Sequence, residues 1–142
     1  MIWKQTIDLA SLNANNDRTV AQTLGIEFTE LGENYLKGTM PITHHAVQPM
    51  RLLHGGVSVV LIETLGSVAS NLCLDDVNTQ AAVGVEVNAN HLKSVREGGM
   101  VTGLCKPLRV GRTLHVWEVE IRDEKGDLVC VGRLTTAVVQ RF

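Results

Sequence analysis

The chain has 142 residues, 44% of them hydrophobic, and a formal net charge of −2, which suits a single domain over residues 1–142 and gives no reason to expect nucleic acid as a partner. Residues 1–5 lack the apolar core of a signal peptide and no apolar run approaches bilayer-spanning length, so we expect no membrane partner. Three cysteines without CxxC spacing favour a cytoplasmic location and a place in the core.

The first third of the chain predicts short elements. Asp8 is a candidate N-cap for a first helix, and Gly25 ends a second one. Alternating apolar residues then predict two strands joined by a turn at 32–34. In chain order, these two helices, two strands and the loop that follows them cover residues 9–14, 19–24, 26–31, 35–42 and 43–51.

A long helix follows. Its apolar residues recur at helical spacing at Val57, Val60, Leu61, Leu65, Val68 and Leu72. Because further sides carry Val59, Ile62 and Ala69, the helix is apolar almost all round, which is typical of a helix buried in a core or an interface.

Beyond a polar connector at 75–79 the apolar period changes from helical spacing to two. We predict strands over residues 83–88, 100–108, 113–122 and 128–139, the last two joined by a hairpin turn at 123–127. One long helix among five or six antiparallel strands is an α+β layout, in which the sheet wraps around the helix.

Candidate chemistry lies on the long helix. Glu63 is a carboxylate on an apolar helix, where an unpaired charge is costly, and Ser67 shares its face four residues on. His54 precedes Gly55 and Gly56, and the N–H groups of a glycine-rich helix start are free to meet a carbonyl or anionic oxygen. An acid, a hydroxyl and such a helix start are typical of acyl transfer.

The whole chain resembles the hotdog-fold acyl-CoA thioesterases, and within them the subgroup that acts on aromatic acyl thioesters such as 1,4-dihydroxy-2-naphthoyl-CoA of menaquinone biosynthesis. The matching blocks are residues 1–4, 12–14, 48–49, 52–56, 63–69, 86–91 and 105–108. The resemblance implies an antiparallel sheet wrapped around one long central helix. It also implies a homodimer or homotetramer (a dimer of dimers) with sites at subunit interfaces, an acyl-CoA substrate, and no metal or cofactor.

The resemblance also implies roles for five residues. Glu63 would attack the thioester carbonyl or activate water as a general base. Gln48 and the Gly55 N–H would polarise the carbonyl. His54 would orient the substrate or assist the departing thiolate, and Ser67 would hold the lytic water. From the residues alone, each also has an ordinary structural explanation, such as a helix carboxylate with a hydrogen-bond partner or a serine bonded to the main chain.

Substrate and CoA contacts follow from the same resemblance at Val68, Gly84, His91, Leu92, Lys93, Ser94, Arg109, Val110, Gly111 and Arg112. Val68 would line the acyl pocket and His91 would contact the aromatic acyl group. The cations suit CoA phosphates, although solvated surface charges are the competing interpretation for each of them. The adjacent His44 and His45 are expected to be loop residues and not metal ligands.

Several functions stay open at this point. The first is hydrolysis of aromatic acyl-CoA. The alternatives are a proofreading hydrolase of misacylated aryl or acyl carrier proteins, a broad acyl-CoA thioesterase, a hotdog-fold dehydratase and a non-catalytic acyl-CoA binding module. The chain also departs from the resemblance in two places. Met50 and Arg51 stand where related sequences usually carry Phe-Gly, and Arg109 and Arg112 stand where they carry less cationic residues.

Overall fold

The computed structural model describes residues 1–141, and every predicted element is present in it. The elements are α1 Leu9–Ala14, α2 Val20–Leu24, β1 Glu27–Leu31, β2 Leu36–Pro41, α3 Gly55–Leu72, β3 Gln80–His91, β4 Met100–Val110, β5 Leu114–Asp123 and β6 Leu128–Gln140. The largest difference from expectation is β3, which extends the predicted strand by three residues at each end.

The predicted helix signals act as expected. The Asp8 carboxylate accepts the N–H of Ser11 at 2.7 Å and caps α1. Gly25 ends α2 with φ +71, a left-handed conformation that favours glycine. Helix α1 packs against the edge strand β1, and Leu12 of α1 and Leu24 of α2 are buried in the core.

The six strands form one antiparallel sheet in the order β1-β2-β4-β5-β6-β3. Helix α3 contacts β2, β3, β4, β5 and β6, so the sheet wraps around it and the α+β prediction is confirmed. Helix α3 lies very close to strands β4 and β6. A Cβ on Gly103 of β4 would lie 2.6 Å from a methyl of Leu65, and a Cβ on Gly132 of β6 would lie 2.6 Å from a methyl of Ile62. Glycine therefore lets the helix sit against the strands.

Burial on α3 is one-sided. The buried positions are Ser58, Leu61, Ile62, Leu65, Gly66, Ala69, Ser70 and Leu72. Glu63 lies on the other side and is exposed, so this chain alone does not cover the whole apolar helix. By length and composition α3 could cross a membrane, with 18 residues and a mean hydropathy of 1.3, so the expectation that no apolar run approaches that length is wrong. Its position inside the sheet makes it the core helix of this fold.

The three cysteines are free thiols in the core, as expected. Burial raises the pKa of Cys73 to about 11 and also raises the pKa values of Cys105 and Cys130. The thiols therefore stay protonated at neutral pH and act as small apolar side chains.

Candidate active site

The start of α3 is built by His54 and two glycines. His54 is the N-cap, and its Nδ1 accepts the N–H of Gly56 at 2.9 Å. The Gly56 N–H is therefore already used, contrary to the expectation that both glycines leave free donors. Gly55 is the first helical residue, whose N–H has no partner within the helix. Within the described part of the chain the N–H of Gly55 is therefore free, and it is the donor that the resemblance assigned to the thioester carbonyl.

A cavity of about 390 Å³ lies beside this helix start. Its lining residues are Gln48, Leu52, Leu53, Gly55, Ser58, His91, Leu92, Lys93, Ser94 and Val129. The structure therefore brings together Gln48, Gly55 and all four predicted contacts between residues 91 and 94. This joins the loop before α3 to the segment after β3, although 43 positions separate Gln48 from His91 in the sequence.

The Gln48 side chain has a fixed orientation. Its Oε1 accepts the backbone N–H of Met50, and an N–H donor requires that the oxygen of the carboxamide face it. The NH₂ group of Gln48 is left to donate to a group in the cavity. An amide donor suits a developing oxyanion because it needs no protonation.

His91 stands directly over the helix start. A Cβ on Gly55 would lie 2.8 Å from Nε2 of His91, closer than any side chain tolerates. Glycine at 55 therefore leaves room for the exposed imidazole near the Gly55 N–H, and a side chain at this position would displace the ring. An acyl group that accepts a hydrogen bond from this N–H would also meet the His91 ring.

Glu63 lies eight residues along α3 from Gly55, a rise of about 12 Å at 1.5 Å per residue. Its carboxylate lies against Gly84 of β3, where a Cβ would be 2.7 Å from Oε1. The strand has a bulge at Val85, because Gly84 pairs with Thr136 and Glu86 pairs with Thr135. No hydrogen bond or ion pair joins the Glu63 carboxylate to another group in the part of the chain that the structure describes.

Ser67 and Val68 follow Glu63 on α3, and both are half-buried. The Ser67 carbonyl accepts a hydrogen bond from the Asn71 side chain at 2.8 Å, while Val68 packs against the core. Glu63 and Ser67 therefore form, with Gly84 of β3 against Glu63, a second group of predicted site residues, and Val68 lies about 140° around the helix from Glu63. None of them lines the cavity that holds Gln48 and Gly55.

Lys93, a predicted CoA contact, already has two acidic partners. Its Nζ lies 2.7 Å from Asp123 and 2.6 Å from Asp127, both in the β5–β6 hairpin. Hydrogen bonding to Lys93 lowers the pKa of Asp123, and the reciprocal bond raises the pKa of Lys93. Lys93 is thus held at the edge of the Gln48 cavity, but its charge is shared with these carboxylates.

The second predicted cationic stretch lies elsewhere in the chain. Val110, Gly111 and Arg112 line a different cavity of about 380 Å³, together with Gln80 at the start of β3. Because His91 ends the same strand, this cavity is at the opposite end of β3 from the Gln48 cavity. Arg109 is exposed near the end of β4. One chain by itself therefore does not bring the two cationic stretches together.

Comparisons with known proteins agree with this layout. The thioesterase superfamily model matches residues 50–130. The chain is 50% identical to 1,4-dihydroxy-2-naphthoyl-CoA hydrolase of Escherichia coli K12 over 98% of this chain and 100% of that protein. It is 46% identical to a proofreading thioesterase of Cronobacter turicensis over 98% and 99% of the two chains. A solved thioesterase from Haemophilus influenzae superposes with a TM-score of 0.93 at 44% identity, covering 99% of this chain and 96% of that one.

This chain belongs to the thioesterase superfamily. The expectation of a hotdog-fold thioesterase is confirmed, and the six-stranded sheet around α3 is the hotdog sheet. The functions of these two relatives correspond to the first hypothesis and to its proofreading alternative. Within residues 1–141 of this thioesterase, no group of three or more His, Cys, Asp or Glu side chains is arranged to hold a metal ion. His44 and His45 face each other at 4.0 Å between ring centroids in a loop.

Sequence reasoning missed two polar residues of this thioesterase. Ser58 is 1% exposed and lines the Gln48 cavity. Its spacing from Leu61, Ile62 and Leu65 places it on the buried face of α3, so the helical period could have revealed it. His115 is 2% exposed, lines the other cavity and has no hydrogen-bond partner for Nδ1 among the described residues. Burial lowers its pKa, so the buried ring is held neutral.

Proposed function

We propose that this thioesterase hydrolyses aromatic acyl-CoA thioesters of the 1,4-dihydroxy-2-naphthoyl-CoA type to the free acid and CoA. The observation that carries the proposal is the Glu63 carboxylate, exposed and without an ion-pair partner among residues 1–141, which lies against Gly84 of β3. Full-length identity of 50% to a 1,4-dihydroxy-2-naphthoyl-CoA hydrolase supports the choice of acyl group. On this proposal the enzyme works in the cytoplasm in menaquinone biosynthesis.

The chemistry is addition of water across the thioester bond. The carbonyl oxygen accepts hydrogen bonds from the Gly55 N–H and the Gln48 NH₂, which stabilise its negative charge as the tetrahedral intermediate forms. Glu63 either attacks the carbonyl carbon, giving an anhydride that water then cleaves, or removes a proton from water held by Ser67. The C–S bond breaks, and the CoA thiolate leaves with assistance from His54.

A second copy of the chain completes the site. Strand β3 is an edge strand that pairs with β6 on one side only, and Val85 on it is 58% exposed. Exposed edges of this kind are typical of strands that pair with another chain. We propose that two β3 strands pair antiparallel around a two-fold axis, forming a homodimer with one continuous sheet. Two such dimers pairing again would give the homotetramer that the resemblance implies as the alternative to the dimer.

This two-fold pairing unites the groups that one chain keeps apart. The Gln80 end of one β3 comes beside the His91 end of the other, so Arg109, Val110, Gly111 and Arg112 of one copy approach the 91–94 segment of the second. The two α3 helices run antiparallel, and the middle of one, with Glu63, approaches the start of the other. The acyl group then lies between Val68 of one copy and His91 of the other, and CoA lies along the cationic segments.

The test is release of CoA thiol from a matched panel of 1,4-dihydroxy-2-naphthoyl-CoA, benzoyl-CoA and straight-chain acyl-CoA. We expect the wild type to prefer the aromatic substrates. Glu63→Gln and Glu63→Ala should each lower kcat by about 10²–10⁴-fold, because both remove the base or nucleophile. Equal turnover of aliphatic substrates would contradict the substrate proposal, and full activity in both variants would contradict the role of Glu63. Circular dichroism of the variants controls for folding.

The carrier-protein alternative is supported by the 46% identity to a proofreading thioesterase. It is tested with the same acyl group attached either to CoA or to the phosphopantetheine of an aryl carrier protein. A higher kcat/KM for the carrier-bound thioester would favour proofreading, and a higher value for the CoA thioester would favour the pathway enzyme. Using one acyl group isolates the contribution of the carrier.

A further inference from the structure

Arg51 is held in a backbone conformation that only glycine adopts readily. Its φ is +62, and Arg18 is the other non-glycine residue with positive φ in the part of the chain that the structure describes. The left-handed residue closes a tight turn, in which the Arg51 N–H donates to the carbonyl of Gln48 at 2.8 Å. The Gln48 N–H then donates to the carbonyl of Leu52 at 2.9 Å. The turn therefore begins at the residue that presents its amide to the cavity.

Glu97 binds Arg51 through both the backbone and the side chain. The Glu97 N–H donates to the Arg51 carbonyl at 3.0 Å. The Arg51 guanidinium donates to both carboxylate oxygens of Glu97, at 2.9 Å for Oε2. Neighbouring contacts extend this attachment, because Leu52 forms a bridge with Arg96 and the Leu53 N–H donates to the Val95 carbonyl at 2.8 Å. The turn is thereby fixed to the segment between β3 and β4.

The same turn orients the Gln48 side chain. The Met50 N–H reaches back to Gln48 Oε1 only while the chain between these residues is bent, and this bond directs the NH₂ group away from the turn. If Arg51 left the left-handed region, Met50 would move and the carboxamide would lose the donor that fixes its rotation. The orientation of a cavity-lining donor therefore depends on a contact outside the cavity.

We propose that the Arg51–Glu97 pair is a positioning device that holds the Gln48 amide in its donating orientation. A glycine at position 51 would adopt the left-handed turn without such a contact, whereas arginine needs the contact with Glu97 to hold it. The inference rests on the proposed function, in which the Gln48 NH₂ stabilises the thioester oxyanion. Arg51 and Glu97 act through Gln48 and do not touch the reacting atoms.

Three substitutions separate conformation from charge. Arg51→Ala removes the ion pair and keeps the unfavourable φ, so we expect kcat to fall about fivefold with KM little changed, in line with a lost partly exposed ion pair. Arg51→Gly also removes the ion pair but adopts the turn freely, so we expect kcat within about twofold of the wild type. Glu97→Gln should resemble Arg51→Ala. Arg18→Ala, which removes an exposed arginine of similar left-handed φ that lies outside this turn, is the matched control and should leave kcat unchanged.

A double-mutant cycle shows whether the effect passes through Gln48. In a Gln48→Ala background, Arg51→Ala should cause no further loss of kcat, because no amide is left to position. An equal fall in both backgrounds, or an Arg51→Gly variant as slow as Arg51→Ala, would overturn the proposal. Full activity of Gln48→Ala would overturn it as well, while leaving the proposed function to stand on Glu63.

A spectroscopic measurement separates this inference from the reaction itself. The side-chain amide signals of Gln48 in ¹⁵N-labelled protein should shift in Arg51→Ala and stay near their wild-type positions in Arg51→Gly. Unchanged signals in Arg51→Ala would overturn the positioning role even if the enzyme is an active thioesterase. Shifted signals together with no thioester hydrolysis by the wild type would support the positioning of the amide and overturn the proposed function.

Discussion

Gly84 leaves the space that the Glu63 carboxylate occupies. A Cβ at position 84 would lie 2.7 Å from Oε1 of Glu63 and 3.8 Å from a methyl of Leu134. The strand and the helix thus approach each other at the one carboxylate on α3. A side chain introduced at position 84 would therefore displace that carboxylate before it met any other group.

We therefore expect Gly84→Ala to lower kcat about tenfold or more, because a displacement of about 1 Å at a reacting group is enough to slow catalysis strongly. Stability should change little, since the new methyl meets the mobile end of a side chain and not the backbone. The measurements are steady-state kinetics and urea unfolding of the same preparation. Loss of activity in proportion to loss of folded protein would contradict this prediction.

Gly55→Ala tests the close approach of His91 to the helix start. The added methyl would lie 2.8 Å from Nε2, so the exposed imidazole must leave its position over the Gly55 N–H. We expect a severalfold rise in KM for aromatic substrates together with a lower kcat. In a His91→Ala background the same change should have a smaller effect, because the clash is gone. Additive losses in the double variant would show that Gly55→Ala acts through something other than His91.

The fold was predictable because its signals are local. The Asp8 cap, the left-handed Gly25 and the change of apolar period after α3 all depend on neighbouring residues, and each matches the structure. Glycines at 103 and 132 were not identified as helix contacts, because the need for close approach arises from α3, which is distant in the sequence. Long-range packing of this kind leaves no periodic pattern.

The candidate site was predictable only in part. The resemblance named Gln48, Gly55 and His91, and the structure places them around one cavity. It could not show that Lys93 is already paired with Asp123, since the hairpin that supplies the carboxylate is 30 positions away. The separation of Glu63 from this cavity within one chain was not visible in the sequence either, because the packing of α3 against distant strands decides which of its sides faces the cavity.

The buried indole of Trp117 depends on a hydroxyl of α3. Its Nε1 donates to Ser70 Oγ at 2.6 Å, and the Ser70 hydroxyl lies 2.8 Å from that of Thr136. Because Trp117, Ser70 and Thr136 are all fully buried, water cannot replace a lost partner. We expect Ser70→Ala to lower the free energy of unfolding by about 1–3 kcal/mol, the cost of leaving a buried donor unpaired.

Thr136→Val supplies the matched control in this network. It keeps the shape of the side chain and the Trp117 bond but removes the second hydroxyl, so its cost should be smaller than that of Ser70→Ala. The double variant should lose less than the sum of the single variants, because both act on one connected set of bonds. Strict additivity in urea unfolding would show that the two bonds contribute independently.

His115 makes folding sensitive to mild acid. Burial lowers its pKa below the ordinary value of about 6.5, and no group among the described residues pairs with its Nδ1. Above that value the ring is neutral in both states and its contribution to stability is fully present. As pH falls from there towards the folded pKa, only the unfolded chain binds the proton, so the unfolding free energy decreases.

His115→Gln removes this titration. The unfolding free energy at pH 7.5 minus that at pH 5.5 should therefore be smaller in His115→Gln than in the wild type, whatever the absolute stability of the variant. Urea unfolding followed by tryptophan fluorescence measures it, since Trp117 contacts the imidazole edge-to-face at 6.4 Å between centroids. His45→Gln, in an exposed loop, should keep the wild-type difference. An undiminished difference in His115→Gln would assign the acid sensitivity to other groups.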